Sequence, residues 1–164
     1  MIEEQQAATT GADFPTDLPA MLMRGEVTLA DVFGLDRDSL YEIARLGYGL
    51  LKAGNLREAK QIYSGLVAAD PYDSVFHCHL AAVHHSLGEV DEAFQQYSEA
   101  LNFNYANADA LVGRAEIQLT RGQLAAGVSA LKQAIEIDPE GIRPSTLRAR
   151  ALLLGLKRAV DQRQ

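Results

Sequence analysis

Residues 77–85 read HCHLAAVHH and gather four histidines, His77, His79, His84 and His85, around the chain's single cysteine, Cys78. Imidazole and thiolate are the ligands of zinc and copper, so the stretch invites metal or catalytic chemistry. On a helix, two ligands converge on one ion when they stand three or four residues apart. No two of these five do. His77 and His84 share a helical face, but seven residues separate them by roughly 10.5 Å along the axis, against metal bonds of about 2 Å. No other histidine or cysteine is present to complete a site. The reading is therefore no metal and no cofactor. Nor does any other motif supply catalysis. The glycines of GYGLLKAG lack the strand that a phosphate-cradling loop follows, and no spacing of Ser, His and Asp suggests a triad. The chain is not expected to be an enzyme.

What, then, places imidazoles here depends on the elements that carry them. Three turns, KAGNLREA, SLGEVDEA and TRGQLAAG, put Gly54, Gly88 and Gly122 at intervals of 34 residues. Ala59, Ala93 and Gly127 follow five positions beyond each glycine, and Tyr63, Tyr97 and Leu131 nine beyond. Pro71 and Pro139 lie two periods apart. A fixed period of this length marks stacked helical hairpins, each too small to bury its apolar face alone. The glycines suit the left-handed position that ends a first helix. Small residues at Gly47, Ala81 and Ala115 let paired helices approach, and Tyr63 and Tyr97 fill the space between neighbouring hairpins. SLYE, from Ser39, and NLRE, from Asn55, read as helix starts with a capping residue and a Glu three positions on.

This period and spacing resemble the tetratricopeptide repeat over residues 40–141. The resemblance implies an all-α fold: three helical hairpins (40–73, 74–107, 108–141) stacked into a curved solenoid. Residues 1–16 are polar and expected to be disordered. Residues 17–39 predict two short amphipathic helices broken at Arg24–Gly25, a helical extension and dimerisation segment presenting Leu18, Met21, Leu22, Leu29, Val32 and Phe33. Residues 142–164 predict a C-terminal capping helix with Pro144 in its first turn. Its apolar stripe would be Leu147, Ala151 and Leu154 with Leu152, Leu156 and Val160, and its Arg148, Arg150, Lys157 and Arg158 would point outward.

Bulk properties narrow the partners. The 164 residues carry a net charge of −7, which disfavours nucleic acid. The charge is uneven: residues 1–39 hold eight acids and two bases, whereas residues 140–164 hold six bases and two acids. A lone cysteine cannot form an internal disulfide, the N-terminus lacks the basic and apolar regions of a signal peptide, and no apolar run is long enough to span a bilayer. A cytoplasmic location and no membrane insertion are expected.

In the repeat fold that this chain resembles, the second, fifth, ninth and twelfth residues of each repeat line the concave face. Here that lining would be Tyr41, Ala44, Tyr48 and Leu51, then Val75, Cys78, Ala82 and His85, then Asp109, Val112, Glu116 and Leu119. Chaperone-tail carboxylate clamps need Lys, Asn and Arg in such a groove, and none stands at the matching positions. Apolar walls with tyrosine hydroxyls suit an extended peptide with hydrophobic anchors instead.

The segments GEVTLADVFGLDRDSLYEIARLGYGLLKAGNLREA, IYSGLVAADPYD and LAAVHHSLGEVDEAFQQYSEAL are similar to the class II type III secretion chaperones. That resemblance implies a chaperone that binds an extended segment of hydrophobic translocator proteins, keeps them soluble and forms a homodimer through its N-terminal helices. The implied groove is Tyr41, Ala44, Tyr48, Leu51, Val75, Cys78, Ala82, His85, Val112 and Leu119. The competing reading is a structural adaptor within another bacterial assembly.

Overall fold

The computed structural model describes residues 15–162, and the tail of residues 1–16 falls almost wholly outside them. Nine helices follow in order among the described residues: α1 (Leu18–Arg24), α2 (Leu29–Val32), α3 (Arg37–Ala53), α4 (Leu56–Ala69), α5 (Ser74–Leu87), α6 (Val90–Phe103), α7 (Ala108–Thr120), α8 (Leu124–Ile137) and α9 (Pro144–Asp161). Helices α3/α4, α5/α6 and α7/α8 are the three hairpins. Each turn glycine takes the left-handed conformation, with φ of +81° at Gly54, +79° at Gly88 and +74° at Gly122. A side chain would strain that backbone, which is why the period is punctuated by glycine.

Two helix starts differ from the sequence expectation. Helix α3 is capped by Asp36, whose carboxylate accepts the Ser39 backbone N–H at 2.8 Å, so Ser39 lies inside the first turn. Asp36 immediately precedes Arg37, so its carboxylate takes the free N–H of the first turn and leaves Ser39 a helical position. Asn55 precedes α4 without a side-chain bond to that turn. Asp73 and Asn107 do cap α5 and α7.

The core runs between the hairpins. One buried cluster joins Leu40, Ala44, Tyr63, Leu66, Phe76 and Val83 across the first and second repeats. The other joins Ala81, Tyr97, Leu111, Ile117, Leu131 and Ala149 across the second repeat, the third and α9. A Cβ added to Gly47 would stand 2.9 Å from Ile62 and 3.0 Å from Tyr63, so the close approach of α3 and α4 requires its absence.

Helix α9 packs on both α7 and α8, but in a different register from the predicted stripe. Thr146 and Ala149 are fully buried, and Leu152 and Leu153 pack behind them. Leu147, Leu154 and Val160 are at least half exposed. The loop before the helix decides this: the Asp138 carboxylate accepts the backbone N–H groups of Ile142 and Arg143 at 3.0 and 2.9 Å and fixes the angle at which α9 folds back.

Candidate binding groove

The concave side holds a groove of about 520 Å³. Helix α3 supplies Tyr41, Ala44, Tyr48 and Leu51, α5 supplies Val75, Cys78, His79 and Ala82, and Tyr63 and Tyr97 close the space behind them. Seven of the ten expected groove residues therefore meet in one place.

Three do not. Val112 is fully buried and Leu119 packs into the core beside Gly127. Both stand at inward positions of the third repeat, but the start of α9 lies over that repeat and its Arg143, Pro144, Ser145 and Arg148 form the groove's end wall. His85, half-buried near the end of α5, also stays out, because the groove residues on that helix stop at Ala82, almost a turn short of it.

The two tyrosines of α3 differ. Tyr41 donates its hydroxyl to Asp73 Oδ2 at 2.9 Å and tilts against Phe76, with ring centroids 5.3 Å apart, so it also buttresses the cap of α5. Burial raises its pKa above the usual phenol range. Tyr48 is 46% exposed and stands edge-on to His79 at 5.6 Å. His79, which is not among the counted inward positions, is part of the groove's wall. Its ring stacks on Tyr63 at 5.1 Å and 8°, and its Nδ1 donates to the Val75 carbonyl at 2.9 Å. Sequence counting misses it because stacking, not repeat position, turns the imidazole inward.

Two of the other histidines, His77 and His84, have structural partners. His77 is buried, with Nε2 donating to Pro71 O at 2.9 Å, Nδ1 lying 2.7 Å from Gln96 Oε1, and its ring stacked on Phe103. His84 Nδ1 donates to Glu89 Oε2 at 2.5 Å, and Lys60 Nζ reaches the same carboxylate at 2.7 Å. Lys60 first and His84 second hold Glu89 below the usual carboxylate range. The cluster that suggested metal chemistry thus ties α4, α5 and α6 together. Among the described residues, no three His, Cys, Asp or Glu side chains gather around a point that would hold an ion.

The acids expected to line the far end of the groove are taken up by α9. Asp109 accepts from Arg143 Nη1 at 2.8 Å and from the Ser145 hydroxyl, and Glu116 accepts from Arg148 Nε at 2.5 Å. Arg148, expected to point outward, is turned to that carboxylate. Arg150 turns back to the Pro139 carbonyl.

In the N-terminal extension, Leu18, Met21, Leu22 and Val32 are half-buried, whereas Leu29 is 39% and Phe33 69% exposed. Thr28 and Asp31 form a reciprocal capping box that holds the short α2. No helix among the described residues is long and apolar enough to cross a membrane.

Residues 44–106 and 108–140 match models of the tetratricopeptide repeat. The chain is 25% identical over 155 residues to the low calcium response locus protein H of Yersinia pestis, covering 93% of this chain and 92% of that protein. It superposes on a chain of a T3SS complex from Aeromonas hydrophila with a TM-score of 0.74 and 26% identity, covering 90% of this chain and 99% of the other. It also superposes on the Yersinia enterocolitica type III secretion chaperone SycD in complex with a peptide of the translocator YopD. There the TM-score is 0.64 and the identity 28%, covering 75% of this chain and 95% of that one. SycD has further been described as an alternative dimer.

Proposed function

We propose that this chain, which belongs to the tetratricopeptide repeat family, is a cytoplasmic chaperone of a type III secretion system that holds an extended apolar segment of a translocator protein. The observation that carries the reading is the groove of the first two repeats: open, apolar-walled, edged by Tyr48 and His79, and closed at its end by α9. The likeness to a secretion chaperone with a translocator peptide bound supports it. Translocator segments that insert into membranes are apolar and aggregate when free. Covering one on a carrier of net charge −7 keeps the pair dispersed. The protein acts by binding and release rather than by catalysis. Its rigid aromatic anchors lose little conformational freedom on binding, which favours affinity for an otherwise flexible segment.

Tyr48 is the residue to test. Its ring is half-exposed and makes its principal contact with His79, so Tyr48→Ala is expected to lower stability by no more than about 1 kcal/mol, while co-purification of a co-expressed hydrophobic translocator drops at least tenfold. Undiminished co-purification by the folded variant would remove the groove from the function. A partner that binds only as a folded, soluble surface would point to the adaptor reading.

A further inference from the structure

The groove's walls are apolar, but its rim is basic. Four cationic side chains border it, Arg45 and Lys52 on α3 and Arg143 and Arg148 at the start of α9, against one carboxylate, Asp109. This runs against the composition, since the whole chain carries −7. Arg45 and Lys52 stand seven residues apart and so share one helical face. Lys52 Nζ lies 5.7 Å over the Tyr48 ring, beside the apolar anchor position, and no ion pair engages it among the described residues. Arg45 meets only Glu42, both well exposed. On the facing rim, Arg143 and Arg148 each hold their acid through a single nitrogen while remaining more than half exposed. A guanidinium has five N–H donors, so each keeps several for a second acceptor. Asp109 already faces the Arg143 guanidinium and Glu116 that of Arg148, whereas Lys52 faces no acid and Arg45 only the exposed Glu42, so the charge left without a counterpart at the rim is positive.

We infer that the segment held in this groove alternates apolar anchors with acidic side chains, the carboxylates reaching Arg45 and Lys52 on one rim and Arg143 and Arg148 on the other. The inference rests on the groove reading above and deepens it. Apolar side chains enter the walls while their neighbours along an extended strand point to the rims, since successive side chains alternate in direction. Carboxylates there form charge-assisted bonds at the edge of a low-dielectric cleft. A bound acidic segment also makes the complex more negative than the free carrier. The ligand's own charge thus adds to solubility instead of cancelling it.

The experiment uses short peptides capped at both ends, with alternating leucines, one tryptophan, and spacers that are all serine, all aspartate or all lysine. Capping removes terminal carboxylates as a source of binding. The chain has no tryptophan, so peptide fluorescence reports binding to the intact protein directly. At low salt the aspartate peptide should bind about three- to tenfold tighter than the serine one, the lysine peptide weaker still, and the differences should shrink in molar salt. The charge reversal Arg45→Glu with Lys52→Glu, on exposed positions whose helicity is checked by circular dichroism, should move the lysine peptide ahead of the aspartate one. If the serine peptide binds but aspartate gives no advantage, or the folded reversal variant keeps the original order, the acidic preference is overturned while the groove stands. If none of the three binds, the groove reading itself falls and this inference with it.

Discussion

Tyr63 and Tyr97 stand 34 residues apart and fill the same slot between hairpins, yet they meet different partners. Tyr63 lies flat on His79, with its hydroxyl donated to the Ala44 carbonyl at 2.8 Å. Tyr97 sinks against bare backbone at Gly113, the residue one period beyond His79, and a Cβ there would stand 2.6 Å or less from the tyrosine's Cζ, hydroxyl and Cε1. At the first joint a stacked aromatic layer fills the gap and forms the groove's wall. At the second, the helices close directly, and α9 then covers the repeat beyond. The two joints thus differ at one position of the following helix, His79 in the first and Gly113 in the second.

The largest effect should come from emptying the first joint. Tyr63 is fully buried, so Tyr63→Ala removes a ring, its stack and a hydrogen bond, and chemical denaturation should register a loss of about 3–5 kcal/mol. A loss nearer 1 kcal/mol would mean the first two repeats are not held by this layer. A smaller contrast tests the second joint. Alanine is the better helix former by about 1 kcal/mol, so a helical glycine in open space gains from the exchange. Gly49 has nothing within 4 Å of a built Cβ, and Gly49→Ala should raise Tm. Gly113→Ala should lower it, because overpacking of about 1–3 kcal/mol outweighs the propensity gain. Two substitutions of one chemistry should therefore shift Tm in opposite directions, and a shared direction would break the comparison.

The smallest effect concerns the sealed end and is read against pH. Asp70 and Asp138 open equivalent turns two periods apart. Asp70 accepts only the Tyr72 N–H nearby, whereas Asp138 holds the start of α9. The Arg143 backbone N–H, with further help from that of Ile142, keeps the Asp138 carboxyl below the usual range. A depressed carboxylate pKa contributes stability that is complete above its unfolded value, about 4, and is lost as pH falls through the lower folded value. Asp138→Asn should therefore melt earlier than the parent at neutral pH, with faster hydrogen exchange in α9. The two should converge in acid. A constant gap down to strongly acidic pH would show that this carboxylate does not anchor the helix.

The repeat architecture was legible because its punctuation is backbone-dictated: only glycine takes the positive φ of the turns at Gly54, Gly88 and Gly122 without strain. The groove of the first two repeats followed by counting inward positions. The register of α9 did not, because Leu147, Leu152, Leu153, Leu154 and Leu156 surround the helix and allow more than one apolar stripe. The buried face is selected by Asp138, in an irregular loop, and by the pairs Asp109–Arg143 and Glu116–Arg148, whose members lie 34 and 32 positions apart. Val112 and Leu119 were misplaced for the same reason, since repeat arithmetic carries no information about a helix that folds back. His79 was underrated because its role comes from Tyr63, sixteen residues upstream. The two ends of the chain carry opposite charge, and at the basic end Arg143 and Arg148 pair with Asp109 and Glu116 of the third repeat.

The groove wall also holds the chain's only thiol, Cys78. Burial in the apolar wall, aided by the neighbouring Asp109 charge, pushes the Cys78 thiol up to about 12. Only the thiolate attacks peroxide or another disulfide, and at neutral pH almost none is present. The cleft is therefore redox-silent: a cargo segment can rest against sulfur without becoming covalently trapped, and association between copies of the carrier needs no reductant to stay reversible.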